Sequence, residues 1–534
     1  MRTIPVVAWI ANAAACLAGP YGSVSGGARR VGCSRQAAYD QARKVYDAVA
    51  RRDPRGPSRE ELLEELARLD RELAEVWAWV DRAVEFPPRR RRRFVVTAAA
   101  MGLSVSQTRD LLALVLGASA APSRSAVGRW RAAAGVAAGR VLKRLDVACR
   151  PLILVGCLDE IFFHRRPVVV GVEPASMTWF LGARTETLRG ETWARALRDF
   201  PALRHVVADA GKPLQSGVEL VRRERLTRGE PPLASTLDAF HTVHQARKAL
   251  GIAWRRAEGV YEDYEAALAK VDRARRQGIP AHPEAGRARG AKRRVEASFA
   301  EYDAMEATWG EVASALEIFR PDGRLNDRAW AEAQVAPRLP TLTGRAWTPV
   351  VNHLRDPSSF TFLDLLHAEL EALPIAAELR EALVRLWWLR RRRPRGEGPV
   401  VGAGHVAHTV QRAYCAKLDA DWPRWYREVA AILRGVVRAS SAVECMNSVL
   451  RMHQSRHRTM TPGMLDLKRL YWNARRFHGG KRRGRCPYEH LGLDLPSYDF
   501  WDLIEEDLDA ALDEAKAAAA RKARSRFIAR VAAA

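Results

Sequence analysis

The sequence predicts a multidomain α+β protein: helical units of helix-turn-helix type first, then a mixed α/β core interrupted by an all-helical segment. Three observations lead there. β-rich runs concentrate in residues 151–250, whereas the segments on either side read as charged and mostly helical. Two stretches near the amino terminus have the cadence of a helix-turn-helix. The formal net charge is +25, a surplus that concentrates polyanions and releases counterions when phosphates are neutralised.

Composition bounds the rest. A chain of 534 residues is too long for one core, and 48% hydrophobic with 28% charged residues is ordinary for a globular protein. Arginine outnumbers lysine, and its guanidinium is the better fork for phosphate and base edges. Cys16, Cys33, Cys149, Cys157, Cys415, Cys445 and Cys486 are scattered and never form C-x-x-C. That spacing argues against a disulfide framework or zinc ribbon and fits a reducing cytoplasm. The opening I-P-V-V-A-W-I-A-N-A-A-A-C has the length of a signal peptide, but only Arg2 precedes it and DNA-binding-like helices follow, so a cytoplasmic location is expected. No run of about 18 uninterrupted apolar residues is present, and no membrane span is expected.

Residues 1–57 form the first helical unit. Gly32 makes a turn and Ser34 caps a helix carrying Arg35, Gln36 and Tyr39; a DNA-reading helix and a capped surface helix both fit. Residues 58–86 open on a Ser58-x-x-Glu61 capping box behind Pro57. Leu62, Leu66, Leu69, Leu73, Val76 and Val80 then recur at heptad steps, a seam that either pairs two protomers or packs on its own domain. Residues 87–148 form the second unit: Arg89–Arg93, a helix, a turn at Gly102, a Ser104 cap, and a helix after Ser123 that presents Arg124 and Arg129. Arg91, Arg124 and Arg129 suit phosphate and base contacts.

Residues 149–250 hold three strand-like runs, a helix, the strand H-V-V-A-D and a further helix. Residues 251–435 revert to long charged helices, 436–495 return to the core, and 496–534 read as a helical tail. The chemistry sits at strand ends. Asp159 closes L-I-L-V-G-C-L-D and Asp209 closes H-V-V-A-D, so each backbone is buried while the carboxylate emerges. Two carboxylates brought together repel unless a cation lies between them, and a few hard oxygens are what Mg²⁺ or Mn²⁺ prefers. Two such ions would suit phosphodiester chemistry. Simpler readings stay open: Asp209 as a turn cap, and Glu444, three residues after Ser441, as the third helical position of a capping box. Glu160 competes with Asp159, although strand alternation puts the two on opposite faces.

The stretches L-D-E-I-F-F, H-V-V-A-D-A-G and S-S-A-V-E-C-M-N-S-V-L-R resemble the three catalytic stretches of DDE transposases, whose core is ribonuclease H-like. L-D-L-K-R-L-Y-W-N-A-R-R-F and C-P-Y-E-H-L-G-L resemble the carboxyl-terminal part of bacterial insertion-sequence transposases. The resemblance covers roughly 150–250 and 436–493. It implies that Asp159, Asp209 and Glu444 hold two Mg²⁺ or Mn²⁺ ions, with Asn447 and Arg451 on the Glu444 helix facing DNA. It also implies that 251–435 is a helical insertion, and Asp238-x-x-His241 matches an accessory element that some such transposases carry. The expected partners are double-stranded DNA (terminal inverted repeats and target) and a second copy of the chain, in a bacterial, nucleoid-associated setting. Water would hydrolyse a phosphodiester at the element's end, and the freed 3′-hydroxyl would attack target DNA. No P-loop is present, so ATP use is not expected. An inactive DNA-binding regulator and a structure-selective nuclease remain alternatives.

Overall fold

The computed structural model describes residues 6–50, 58–82, 86–391, 403–455 and 459–532. Helix predominates, and one five-stranded mixed sheet makes the chain an α+β protein. Two units separate near Arg91.

In the first unit the helices Val6–Leu17, Ser23–Val31, Arg35–Ala50 and Arg59–Arg82 follow one another. Gly32 ends the second in the left-handed region (φ 70°), a conformation glycine adopts without a Cβ penalty. Ser34 Oγ then accepts from Ala37 N at 3.1 Å, capping the next helix. Buried Asn12 donates to buried Gln41 at 2.6 Å, a polar tie inside an otherwise alanine-lined contact. On the fourth helix Leu62, Leu66, Leu69 and Leu73 are half-buried and Val76 is exposed; the Val80 side chain lies outside the described residues.

The second unit is organised by strands β1 (Val155–Phe163), β2 (Arg166–Glu173), β3 (Thr178–Arg184), β4 (His205–Ala208) and β5 (Ala234–Leu237). Their spatial order is β3-β2-β1-β4-β5, with β2 antiparallel to both neighbours and β1, β4 and β5 parallel. His164 (φ 45°) and Arg165 (φ 67°) form the two-residue turn between β1 and β2, left-handed at both positions as a twisted hairpin demands.

Alternation divides the strand residues between two cores. Leu158, Val169, Val206 and Ala208 face the helices Gly190–Arg198 and Lys212–Thr227, where Trp193, Leu197, Leu214 and Val218 cover them. Cys157, Ile161, Val170 and Val207 face the opposite way, onto the helices Arg124–Cys149, Ser441–Gln454 and Pro462–Ala474. Gly135 and Gly463 let two of these helices touch backbone to backbone: a Cβ on Gly135 would lie 2.9 Å from the Gly463 carbonyl carbon. The segment read as a tail begins as a core helix, Phe500–Ala532, which buries Phe500, Ile504, Leu508 and Leu512 in the same core. Its acidic positions pair with arginines, including Arg93 with Glu505 (2.7 Å) and Arg92 with Asp509 (2.9 Å).

Between β5 and the Ser441–Gln454 helix the named elements among the described residues are all helices, with one isolated antiparallel bridge, Phe319 to Leu325. The helices Ala239–Arg276 and His282–Ala315 form a long hairpin, and two successive hydrophobic clusters follow, one ending near Leu363 and one running from Leu366 to Leu433. The ends of this segment meet: Ala239 N donates to Arg438 O at 3.0 Å.

Candidate active site

The parallel ladder between β1 and β4 ends at the pair Leu158↔Ala208. Asp159 comes next on β1, which does not end there as the sequence suggested but continues to Phe163 paired with β2, and Asp209 is the first residue beyond β4. They therefore stand side by side on strands that run about 4.8 Å apart, with alternation turning both toward the side of Cys157 and Val207. The Ser441–Gln454 helix packs on that same side through Val443, Met446 and Leu450. Glu444 sits in its first turn and is half-buried.

Hydrogen bonds fix the first aspartate at both oxygens. Asp159 Oδ1 accepts from Glu160 N at 2.8 Å, and Oδ2 accepts from Asn447 Nδ2 at 2.5 Å. Burial pushes the Asp159 carboxyl up to about 7; the charges of Asp209, Glu444 and Glu160 add to that, and the Glu160 amide opposes it. Asp209 Oδ1 accepts from Gly211 N at 2.9 Å, so this residue is also a turn cap, and its carbonyl takes the Gln215 amide at 2.7 Å. Arg451, one face-repeat along the helix, lies 3.4 Å from Glu444.

The capping-box reading of Glu444 has no counterpart in the helix as folded. The residue before the helix is Ser440, which makes no side-chain cap; its hydroxyl donates instead to Asp238. Asp238 is 2% exposed and caps the Ala239–Arg276 helix by accepting from Phe240 N at 2.8 Å. That carboxylate is engaged in joining two helix starts. His241 contacts Gln245 at 3.3 Å, and His353 stands close by, buried, with Nε2 unpartnered and its protonation held down to about 4 chiefly by burial.

Asn447, expected to face DNA, is fully buried. Three residues after Glu444, it shares that residue's helix face, and this face looks at the sheet rather than outward. Arg451 is exposed, as are Arg35, Gln36, Arg124 and Arg129. Gln36 reaches Asp40 at 3.3 Å, and half-buried Arg91 donates to Phe86 O at 2.9 Å. Glu160 is what alternation set aside: half-buried, with a buried Oε2 that meets no hydrogen-bond partner, and a carboxyl pushed up to about 7 by burial and by Asp209. Its only signal in the sequence was adjacency to Asp159.

Among the described residues no three His, Cys, Asp or Glu side chains stand close enough together to hold a metal ion as they are placed. The donor set nevertheless suits a hard divalent cation. Burial pushes the Asp159 and Glu160 carboxyls up, and the charge of Asp209 adds to both, so a cation among these oxygens would relieve the crowding. No helix among the described residues is long and apolar enough to cross a membrane. Comparison with family models, with curated proteins and with solved structures finds no match to this chain.

Proposed function

We propose that the chain is a DDE transposase with a ribonuclease H-like core, a metal-dependent enzyme that cleaves the ends of a mobile DNA element and joins them to target DNA. The observation that carries this reading is the juxtaposition of Asp159 and Asp209 where the in-register parallel ladder of β1 and β4 ends, with the Glu444 helix packed on the same side. Asp159, Asp209 and Glu444 would hold two Mg²⁺ or Mn²⁺ ions, which when bound stabilise the charge that develops on attacking and leaving oxygens.

The remaining roles belong to the chain's own residues. Asn447 holds the Asp159 carboxylate in one orientation through its 2.5 Å hydrogen bond. Arg451 neutralises Glu444 at 3.4 Å and, being exposed, is placed to exchange that carboxylate for a DNA phosphate. Arg35 and Gln36 in the first unit, and Arg124 and Arg129 in the second, would contact phosphates and base edges of double-stranded terminal repeats. The net charge of +25 supports a polyanionic partner. This reading places the protein in the bacterial cytoplasm, at the nucleoid.

The same Arg451–Glu444 pair favours a second reading, a DNA-binding regulator in which a guanidinium stands where a metal ion would be held. Purified protein incubated with Mg²⁺ and labelled duplexes from the DNA flanking its gene separates the two. Joined products are the expected result. Cleavage without joining would make the protein a nuclease, and binding without cleavage would make it a regulator.

A further inference from the structure

The hairpin of Ala239–Arg276 and His282–Ala315 is anchored at its base, where Ala246, Ala249, Trp309 and Val312 enter a hydrophobic cluster. From Ala249 to Arg276 the first helix runs on for about 40 Å at 1.5 Å per residue. Beyond the anchor, burial falls to a thin seam between the two helices: Ala257, Val271, Ala288 and Ala291. Arg256 and Glu301, 4.0 Å apart, mark the register of the two helices.

Charge along this arm is sorted. The tip, residues 270–294, carries nine Lys or Arg against two Asp or Glu. The neck, residues 257–269 and 295–306, carries eight Asp or Glu and no Lys or Arg. A surface built only for solubility would intersperse the signs as i,i+4 pairs. Here Arg273, Arg276 and Arg289 at the tip, and Glu258, Glu262 and Glu265 in the neck, are exposed and meet no opposite charge among the described residues. Trp254, at the base of the arm, packs edge-on against Phe299 and Tyr302 of the second helix, and one and two heptads further on Tyr261 and Leu268, 44% and 38% exposed, run between the acidic positions.

We propose that this arm pairs antiparallel with the same arm of a second copy of the chain, the tip of each lying on the neck of the other. A two-fold axis makes such a contact self-complementary, because each basic tip meets an acidic neck twice over. The stripe supplies the apolar centre that charge pairing alone lacks. Duplex DNA fits the arm less well: an acidic neck repels phosphate, and a phosphate contact has no use for an exposed tyrosine and leucine. The pairing does not depend on the catalytic reading above.

The test uses the full chain in sedimentation equilibrium without DNA, with circular dichroism to verify folding. One variant reverses the tip (Arg273→Glu with Arg276→Glu) and one the neck (Glu262→Arg with Glu265→Arg). Each alone should weaken self-association by at least about tenfold, because like charges now face each other. An equimolar mixture should recover it, since the tip of one variant again meets the opposite charge on the neck of the other. A wild-type chain that stays monomeric, reversals without effect, or a mixture that does not recover would each overturn the proposal. If tip reversal instead weakens duplex binding, neck reversal strengthens it and mixing restores nothing, the tip is a DNA contact and the proposal fails.

Discussion

The two faces of the sheet are built from different kinds of sequence. One is closed by helices that follow the strands directly, so the cluster of Leu158, Trp193, Leu197, Val206 and Leu214 arises within a short span of chain. The other is closed by the helix that leads into β1, Arg124–Cys149, and by helices from far downstream, Ser441–Gln454 and Pro462–Ala474. Only this second face carries Asp159, Asp209, Asn447 and the Glu444 helix. The local face holds the strands at fixed spacing, and the remote face brings crowded carboxylates onto that frame at a cost in stability.

The sharpest way to break this contrast is to remove a carboxylate. Asp159→Ala or Asp209→Ala should lower Mg²⁺-dependent cleavage of end DNA by at least about 10³-fold, equivalent to about 4 kcal/mol, while leaving the far-ultraviolet spectrum unchanged. Cleavage at the parental rate would remove these residues from the chemistry. On the local face the effect should be on folding instead. Trp193 is fully buried, and Trp193→Ala should cost about 3–5 kcal/mol in denaturant unfolding. A loss below about 1 kcal/mol would mean that this face is not the frame.

Two smaller effects sharpen the comparison. Asp159 titrates near 7 in the folded chain because burial and neighbouring carboxylates disfavour its charge. At pH 8 without divalent metal, Asp159→Asn should therefore raise stability by about 2 kcal/mol, the opposite sign to Trp193→Ala. A destabilised Asn variant would show that the carboxylates are not in conflict. His205, at the start of β4, contacts Thr236 Oγ1 at 2.8 Å, and burial holds its protonation down to about 4. Between that value and 6.5 the unfolded chain binds more protons than the folded one. Stability is thus intact above pH 6.5 and drains as pH falls toward 4, by about 2 kcal/mol at pH 5; His205→Gln should flatten that slope in thermal melts.

What was legible in the sequence follows the same division. The β-rich runs at 151–184, the strand before Asp209, the Gly32 and Gly102 turns and the Ser104 cap carry their signals within a few residues. Placing Asp209 just past a strand end required only apolar run length; Asp159, expected at a strand end, lies mid-way along β1, because the continuation to Phe163 pairs with β2. The burial of Asn447 was not legible, because it depends on which side of its helix meets a sheet built hundreds of residues earlier. The bond from Ser440 to Asp238 likewise joins positions that share no local pattern. Glu160 was set aside by alternation, which gives the direction of a side chain but not how far β1 outruns its parallel neighbour β4. The tail from 496 looked separable because its charges dominate the pattern, yet Ile504, Leu508 and Leu512 recur every four residues and belong to the core.

The meeting of Ala239 with Arg438 has a kinetic meaning. The Glu444 helix can dock on the sheet only after the whole span from 239 to 438 has been looped back. The entropy of closing a flexible loop grows with the logarithm of its length, about 0.6 kcal/mol for each doubling, and a stretch that has already folded into helices with its ends together no longer carries that cost. The span forms its own two hydrophobic clusters, one drawn from residues 246–363 and one from 366–433. Folding of the span on itself is thus what brings the Glu444 helix within reach of the sheet.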